Sequence, residues 1–366
     1  MIPMVDLKQQ YLDLKEEIDN GLLAGLEETK FILGPNVRAF EEECAEYLGV
    51  EYTVGVASGT DALHLALIAA GVEEGDEVIT TPFTFIATAE AIRHVGATPV
   101  FVDIDPQSYN MDLNQVEDAI TERTRAILPV HIFGQPVDMV TILSLAERHH
   151  LRVIEDCAQS FGAHIDGRQT GNFGLAGCFS FFPSKNLGGY GDGGLVSTNS
   201  AELAEHLRVL RNHGSWKQYH HSEIGFNSRL DELQAIILRA KLKRIDNYNE
   251  DRRRVAHRYS AALAEIPGIT PPYEDGIGHH VYHQYTLLVE NRDTIQQALR
   301  DNEIACAIYY PIPLHQQEVF INVCQGLSLP VSERISQQCL SLPVFPELKD
   351  AQIDRILDVI REVVND

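Results

Sequence analysis

The pattern of hydrophobic and polar positions predicts a helix-covered sheet between about residues 50 and 200. Short runs rich in β-branched residues alternate there with stretches of helical periodicity. Because helical crossovers join parallel strands, we expect a mostly parallel, seven-stranded sheet. Ligands bind beyond the carboxyl ends of such strands, so residues after each run are candidates for chemistry. The runs are Tyr52–Ala57, Glu77–Thr80, Pro99–Asp103, Ala126–His131, Arg152–Asp156, Cys178–Phe182 and Gly194–Ser197.

A different pattern begins near residue 230, where a polar and apolar stretch without Pro or Gly continues to about residue 263. It predicts one long helix or two joined helices that connect two domains. The remainder mixes a strand at 285–289 with helices at 293–302 and 350–364. At 366 residues two domains are expected. We predict a large α/β domain with an N-terminal arm over residues 1–240 and a small α+β domain over residues 241–366.

The net charge of the chain limits the classes of partner that it can bind. The formal net charge is -24, which repels nucleic acid and anionic membrane surfaces. The first residues lack a basic segment followed by an apolar one, and no stretch is apolar for long enough to span a bilayer. We therefore expect a cytoplasmic protein with no nucleic-acid or membrane partner, in which any anionic ligand is met by a local pocket.

Cysteines and histidines give little sign of a metal. The six cysteines are scattered and form no C-x-x-C pair, which predicts buried thiols rather than disulfides or a zinc site. His279, His280 and His283 have a spacing that could suit a metal. No acid or cysteine nearby completes a ligand set, so we expect an exposed turn and no metal.

Lys185 is the most informative residue for chemistry. It follows an apolar strand and lies in a glycine-rich turn, where backbone can approach closely. A primary amine in such a place suits imine formation with a carbonyl, provided that a lowered pKa frees its lone pair. The alternative is a solvated surface lysine.

Three further features lie just after strands. The segment 55–64 passes from a strand into a helix, which points free N–H groups at the turn and forms a phosphate cradle by geometry; Ser58 or Thr60 could instead be an ordinary N-cap. Asp156 ends a buried strand and needs a cationic partner such as a protonated ring nitrogen, or it caps the next turn or pairs with an Arg.

Two aromatic residues, Phe83 and Phe85, follow another strand, where one could stack on a planar heterocycle or both could belong to the core. A phosphate site, a stacking face, a partner for a ring nitrogen and an imine-forming lysine are together what pyridoxal phosphate requires. This combination indicates a pyridoxal phosphate site more strongly than any one feature does.

The same residues also resemble a known family, the sugar-nucleotide aminotransferases often named after DegT and StrS. The resemblance spans nearly the whole chain, and its motifs are long and correctly ordered. They are Ser58-Gly59-Thr60-Asp61-Ala62-Leu63, Glu155-Asp156-Cys157-Ala158-Gln159-Ser160, Ser180-Phe181-Phe182-Pro183-Ser184-Lys185-Asn186-Leu187-Gly188, Gly225-Phe226-Asn227-Ser228-Arg229-Leu230-Asp231 and Tyr310-Pro311-Ile312-Pro313-Leu314-His315.

The resemblance implies a fold-type I pyridoxal phosphate enzyme that is a homodimer with active sites shared between subunits. Lys185 would form the imine with the cofactor and then move the proton as general base and acid. Asp156 would keep the ring nitrogen protonated, and Phe85 would stack on the ring. The other implied cofactor contacts are Gln159 at the ring face or hydroxyl, Gly59, Thr60, Asp61 and Ser180 at the phosphate, and Asn227 from the neighbouring subunit.

The resemblance further implies the reaction. The dehydratase branch of the family carries His where this chain has Lys185, so transamination is expected. The segments 219–221, 227–231 and 310–314 look closest to the branch that aminates C3 of a nucleotide-linked keto-sugar, with L-glutamate as donor. A UDP-2-acetamido-3-keto-glucuronate and a dTDP-3-keto-6-deoxyhexose are both candidate substrates for this step of amino sugar or polysaccharide biosynthesis. Candidate substrate contacts are Arg229, His213, His220, His221, Tyr309, Tyr310 and His315.

Alternatives remain at this stage. Arg229 could form a salt bridge with Asp231 or Glu232, and the other candidate contacts could serve packing or solvation. The enzyme could aminate C4 instead of C3, or the chain could be a sugar dehydratase. A non-catalytic regulatory protein is the alternative from another class, although the acidic surface argues against regulation by direct DNA contact.

Overall fold

The computed structural model describes residues 1–365, which contain fourteen strands and eleven α-helices. The strands are β1 (Tyr52–Val56), β2 (Glu77–Thr80), β3 (Thr98–Phe101), β4 (Thr124–Ile127), β5 (Arg152–Asp156), β6 (His164–Ile165), β7 (Arg168–Gln169), β8 (Ala176–Ser180), β9 (Gly194–Thr198), β10 (Ser215–Lys217), β11 (His220–His221), β12 (Ile269–Thr270), β13 (Tyr285–Val289) and β14 (Cys339–Leu342). The helices are α1 (Leu7–Glu28), α2 (Pro35–Leu48), α3 (Gly59–Ala69), α4 (Ala87–His94), α5 (Met139–His149), α6 (Ala201–Leu210), α7 (Glu232–Leu242), α8 (Ile245–Leu263), α9 (Arg292–Asp301), α10 (Pro330–Gln338) and α11 (Asp350–Asn365).

A seven-stranded sheet is the centre of the large domain, in the order β1-β9-β8-β5-β4-β2-β3. Neighbouring strands from β8 to β3 are parallel, whereas β9 is antiparallel to both β8 and β1. Helices α3, α4 and α6 pack on the apolar side chains of the sheet and bury the largest core. The predicted α/β fold with a mostly parallel sheet is confirmed.

The smaller antiparallel sheet β12-β13-β14 forms a second core with α8, α9 and α11. The connecting stretch is two helices, because α7 ends at Leu242 and α8 begins at Ile245. Helix α7 packs on α1 and α2, whereas α8 belongs to the second core. We propose the domain boundary at this turn, with the exception of Ile2, which is buried in the second core.

Two contacts fasten the small domain to the end of the large sheet. The buried Asp103 carboxylate, just after β3, accepts hydrogen bonds from the N–H groups of Val331 (2.9 Å) and Ser332 (2.9 Å) at the start of α10, and from the Ser332 hydroxyl (2.5 Å). The Leu314 N–H donates to the Pro82 carbonyl at 2.8 Å. An acceptor at a helix N-terminus satisfies amides that the helix leaves unpaired.

The histidine prediction is wrong, because His280 and His283 are buried rather than on an exposed turn. This segment is held between the two domains: the Val281 N–H donates to the Gly134 carbonyl at 3.0 Å, and the His280 ring stacks on Tyr282. Five of the six free cysteines are buried as expected, and Cys306 is partly exposed. No helix within residues 1–365 combines the length and apolarity needed to cross a membrane.

Candidate active site

A cavity of about 400 Å³ opens where the carboxyl ends of the sheet strands face the small domain. Its wall includes residues that follow β1, β2, β5 and β8, as expected for a parallel sheet. The small domain contributes His283, Gln284, Tyr309 and Tyr310. Predicted site residues that line this cavity are Gly59, Thr60, Phe85, Asp156, Gln159, Ser180, Lys185, Tyr309 and Tyr310.

The turn that carries Lys185 is closed by its own backbone. The Lys185 N–H donates to the Phe182 carbonyl and the Gly189 N–H to the Phe181 carbonyl, both at 2.8 Å. A side chain at position 188 would collide with the Pro183 carbonyl, so this tight turn requires glycine there. The lysine is therefore presented from a fixed loop at the end of β8.

Burial lowers the pKa of the Lys185 amine from its ordinary value of 10.5 to about 8, against the opposing effect of the Asp156 carboxylate. A substantial part of the amine is then neutral near physiological pH. This result disfavours a solvated surface lysine and supports a nucleophile or proton acceptor.

Asp156 is buried at the end of β5, and burial raises the pKa of its carboxyl. Two donors oppose this rise: the Thr88 hydroxyl at 2.8 Å and the Ala158 N–H at 3.1 Å. Asp156 thus caps the following turn, which was one of the alternatives, and no Arg pairs with it among residues 1–365. A carboxylate has about four acceptor positions, so two remain for a cation in the cavity.

The start of α3 fits a phosphate. Ser58 is its N-cap and accepts from the Asp61 N–H at 3.1 Å, while the N–H groups of Gly59 and Thr60 have no partner among residues 1–365. A Cβ at position 59 would lie 2.5 Å from the Ser180 Cβ, so glycine lets this turn approach the serine. Two free amides, a hydroxyl and a helix N-terminus form an anion site.

Asp61 does not join this group. Its N–H is taken by Ser58, and its carboxylate accepts a hydrogen bond from the Ser228 hydroxyl at 2.7 Å. It is also absent from the cavity wall. The structure gives Asp61 a role in fastening the segment around Ser228 to the phosphate turn.

Gln159 has a fixed orientation because its oxygen accepts from the Phe133 N–H at 2.8 Å. Its amide nitrogen then donates to the Tyr310 hydroxyl at 3.0 Å, which links the small domain to the large one. Phe85 is 56% exposed, although it lines the cavity. An aromatic face left open beside Lys185 and Asp156 fits a stacked heterocycle, whereas Phe83 is fully buried core.

The remaining candidates do not line this cavity. Asn227, His213, His220 and His221 are exposed, the last two on the hairpin of β10 and β11. Arg229 donates to the Asn212 side chain at 3.1 Å and forms no salt bridge with Asp231 or Glu232. His315 is buried, its ring 3.0 Å from the Glu333 carboxylate, so it supports the small domain instead of facing the cavity.

Sequence reasoning missed several residues of the cavity wall, among them Thr84, Thr88, Phe182, His283 and Gln284. Phe182 could have been found, since it follows β8 two residues after Ser180. Thr88 reaches Asp156 across 68 positions of chain, and His283 and Gln284 come from the other domain. Contacts between residues so distant in the sequence leave no local pattern from which they could be predicted.

One group within residues 1–365 has metal-ligand types, namely His131, Glu155 and Cys157. Its polar atoms are already used: Glu155 accepts from three backbone N–H groups in 171–174 and lies 3.1 Å from the His131 Nε2. The His131 Nδ1 accepts from the Val137 N–H at 3.0 Å, so Nε2 carries the proton that Glu155 accepts. The group therefore stabilises the strand ends beside Asp156.

Comparisons with known proteins agree with this geometry. An enzyme from Acidithiobacillus ferrooxidans named as a UDP-N-acetyl-3-dehydro-alpha-D-glucosamine 3-aminotransferase is 53% identical over 364 residues, which cover 100% of this chain and 98% of the relative. A UDP-2-acetamido-2-deoxy-3-oxo-D-glucuronate aminotransferase from Pseudomonas aeruginosa is 43% identical over 353 residues, which cover 96% of this chain and 98% of the relative.

Among solved structures, the crystal structure of DesV from S. venezuelae in complex with a ketimine intermediate superposes with a TM-score of 0.97 at 42% identity. The match covers 100% of this chain and 99% of that one. The model of the DegT/DnrJ/EryC1/StrS aminotransferase family matches residues 12–361. The chain therefore belongs to this family and is a sugar-nucleotide aminotransferase.

Proposed function

We propose that this enzyme uses pyridoxal phosphate to transfer an amino group from L-glutamate to C3 of a UDP-linked 2-acetamido-3-keto-hexose. The observation that carries the proposal is the joint placement of Lys185, Asp156 and the free amides of Gly59 and Thr60 around one cavity. The sugar is proposed from the relative that is 53% identical over the whole chain and acts at C3.

Lys185, Asp156 and Phe85 have separate tasks in this proposal. Pyridoxal phosphate, when bound, supplies an electron-withdrawing ring and a carbon that carries nitrogen from donor to acceptor. The neutral Lys185 Nζ would accept the proton from the donor carbon that bears the nitrogen and would donate it to the carbon that receives it. Asp156 would hold a proton on the ring nitrogen through its unused acceptor positions, and Phe85 would stack on the ring.

The anchoring groups fix the phosphate end. The amides of Gly59 and Thr60 and the Ser180 hydroxyl bind the phosphate without a lysine or arginine, which suits an otherwise acidic protein. The Gln159 amide keeps the Tyr310 hydroxyl at the cavity wall, where it can meet the sugar.

We also propose a homodimer with shared active sites. Asn227, Arg229 and the β10–β11 hairpin carry polar side chains that do not reach the cavity of their own subunit. In a two-fold dimer the same surface can complete the partner's cavity, where Asn227 would bind the phosphate and Arg229 the substrate.

The substrate proposal is tested with purified enzyme, pyridoxal phosphate, L-glutamate and a panel of sugar nucleotides. The panel contains UDP-N-acetyl-3-dehydroglucosamine, the matching 3-keto-glucuronate, a dTDP-3-keto-6-deoxyhexose and a UDP-linked 4-keto sugar. We expect formation of 2-oxoglutarate together with a C3 amino sugar, read by mass spectrometry and NMR, with the first substrate preferred. Amination of only the 4-keto sugar would show that the assigned position is wrong.

Two variants serve as controls. Lys185→Ala should abolish amino transfer and the visible absorbance of the bound cofactor. Lys243→Ala removes an exposed lysine that pairs with Glu17, and it should retain both. Amino transfer that survives in Lys185→Ala would refute the role of this lysine.

Shared sites are tested by mixing two inactive variants, Lys185→Ala and Asn227→Ala. Each mixed dimer would contain one site with both defects and one intact site. A 1:1 mixture that exchanges subunits should therefore recover about a quarter of the wild-type activity. A mixture that stays inactive although mass spectrometry shows mixed dimers would contradict shared sites.

A further inference from the structure

Asp156 is held by a chain of two threonine hydroxyls that the cofactor contacts do not include. The Thr88 hydroxyl donates to Asp156 Oδ2 at 2.8 Å. The hydroxyl oxygens of Thr84 and Thr88 are 3.0 Å apart. All three side chains are at least nine-tenths buried and lie in the cavity wall.

The direction of this chain follows from proton counting. A threonine hydroxyl has one hydrogen, and Thr88 gives its hydrogen to the ionised Asp156. Thr84 must then donate to the Thr88 oxygen, which makes Thr88 a stronger donor because hydrogen bonds in a row polarise one another. Thr88 is also the second residue of α4, so the positive end of the helix dipole lies near the same carboxylate.

We propose that the Thr84–Thr88 pair is a positioning element that keeps Asp156 ionised and directed at the cavity, so that Asp156 can hold a proton on the cofactor ring. The inference rests on the proposed function, since it assigns a task toward the cofactor. Burial works against an ionised Asp156, and among its donors within residues 1–365 only the Thr88 hydroxyl comes from a side chain.

Other groups near Asp156 do not replace this hydroxyl. Lys185 after β8 favours the ionised form only through longer-range charge, and the ring of His131 after β4 is hydrogen-bonded to Glu155 and to the Val137 N–H instead. The other titratable groups near this carboxylate are Cys178 on β8, Cys157 after β5 and the Tyr310 phenol. Burial raises the pKa of each, and the negative charge of Asp156 adds to that rise. A hydrogen bond to a charged group contributes about 1.5–3 kcal/mol, which corresponds to roughly tenfold to a hundredfold in an equilibrium constant.

Thr88→Val tests the proposal because it keeps the shape of the side chain and removes the hydroxyl. The full-length apo-protein is titrated with pyridoxal phosphate between pH 5.5 and 8.5, with affinity read from protein fluorescence. At pH values where Asp156 of the free protein carries its own proton, Thr88→Val should bind the cofactor more weakly than wild type, by up to about tenfold to a hundredfold. Affinity should fall on acidification, because Asp156 then gains its own proton. The midpoint pH of this fall should be about one unit higher in Thr88→Val than in the wild type.

Three further variants separate this role from simple packing. Thr88→Ser retains a hydroxyl and should restore the wild-type pH dependence, whereas Thr84→Val should shift it in the same direction as Thr88→Val but less. Thr80→Val is the matched control: Thr80 is fully buried nearby on β2, but its hydroxyl donates to the Leu128 carbonyl at 2.8 Å. It should reduce stability without shifting the pH dependence.

The outcomes distinguish the two proposals. Wild-type protein that binds no pyridoxal phosphate would overturn the proposed function itself. Wild-type binding together with an unchanged affinity and pH dependence in folded Thr88→Val would overturn the threonine pair alone. Equal pH shifts in Thr88→Val and Thr80→Val would also overturn it, because the effect would then come from packing.

Discussion

The lowered pKa of Lys185 can be measured directly in the cofactor-free protein. Its amine has a pKa of about 8 because the side chain is buried, against an ordinary value of 10.5. At pH 7.5 this leaves roughly a quarter of the amine neutral, compared with about one part in a thousand for an ordinary lysine. Lys185 should therefore react with an acylating reagent about two hundredfold faster than its ordinary pKa would allow.

The assay is brief acylation at a series of pH values, followed by peptide mass spectrometry that measures modification at each lysine. Modification of Lys185 should rise with pH and level off above about 8. Lys15 is an internal reference, since its hydrogen bond to Asp19 raises its pKa and its modification should keep rising throughout. In Asp156→Asn the midpoint for Lys185 should fall, because the carboxylate is the group that holds it up. A Lys185 midpoint near 10.5 would refute the reasoning.

Three other predictions concern the supports of the site. Gly59→Ala places a Cβ 2.5 Å from the Ser180 Cβ and should weaken pyridoxal phosphate binding by at least about tenfold in a fluorescence titration; unchanged affinity would contradict the phosphate cradle. Glu155→Gln puts an amide NH₂ among backbone donors and should lower the free energy of unfolding by about 3 kcal/mol in urea; a loss below about 1 kcal/mol would count against the role of these hydrogen bonds. Burial lowers the pKa of Lys241 to about 7, so the unfolded state binds more protons above that pH and stability rises with pH. Lys241→Met should remove this part of the rise between pH 7 and 9 in urea denaturation, and equal slopes in both proteins would contradict it.

Strand positions were predictable wherever burial alone determines them. The bounds of β2 and β5 agree with the sequence pattern. The pattern predicted a strand at 126–131, whereas β4 spans Thr124–Ile127. The strand ends early because Pro129 has no N–H to continue the hydrogen-bond ladder. Hydrophobicity continues past that point because the chain stays buried as it turns toward the site.

The placement of Lys185 and Asp156 around one cavity was predictable because both lie at or shortly after the ends of strands. Lys185 and Asp156 needed only the rule that strand ends meet at one edge of a parallel sheet. The burial of His283 was not predictable, since it depends on how the small domain docks. Asp61 resembled a cofactor contact by its place in a motif, but its N–H donates to Ser58, its carboxylate accepts from Ser228, and it does not line the cavity.

The Asp103 contact bears on how substrate enters the cavity. Swinging the small domain away would strip a buried carboxylate of three donors, each worth about 1–3 kcal/mol. Such an opened form would be rare, so passage of sugar nucleotides is left to loops and side chains at the rim. The rate-limiting step of turnover would then be the chemical step or product release, and not a slow hinge motion between the two domains.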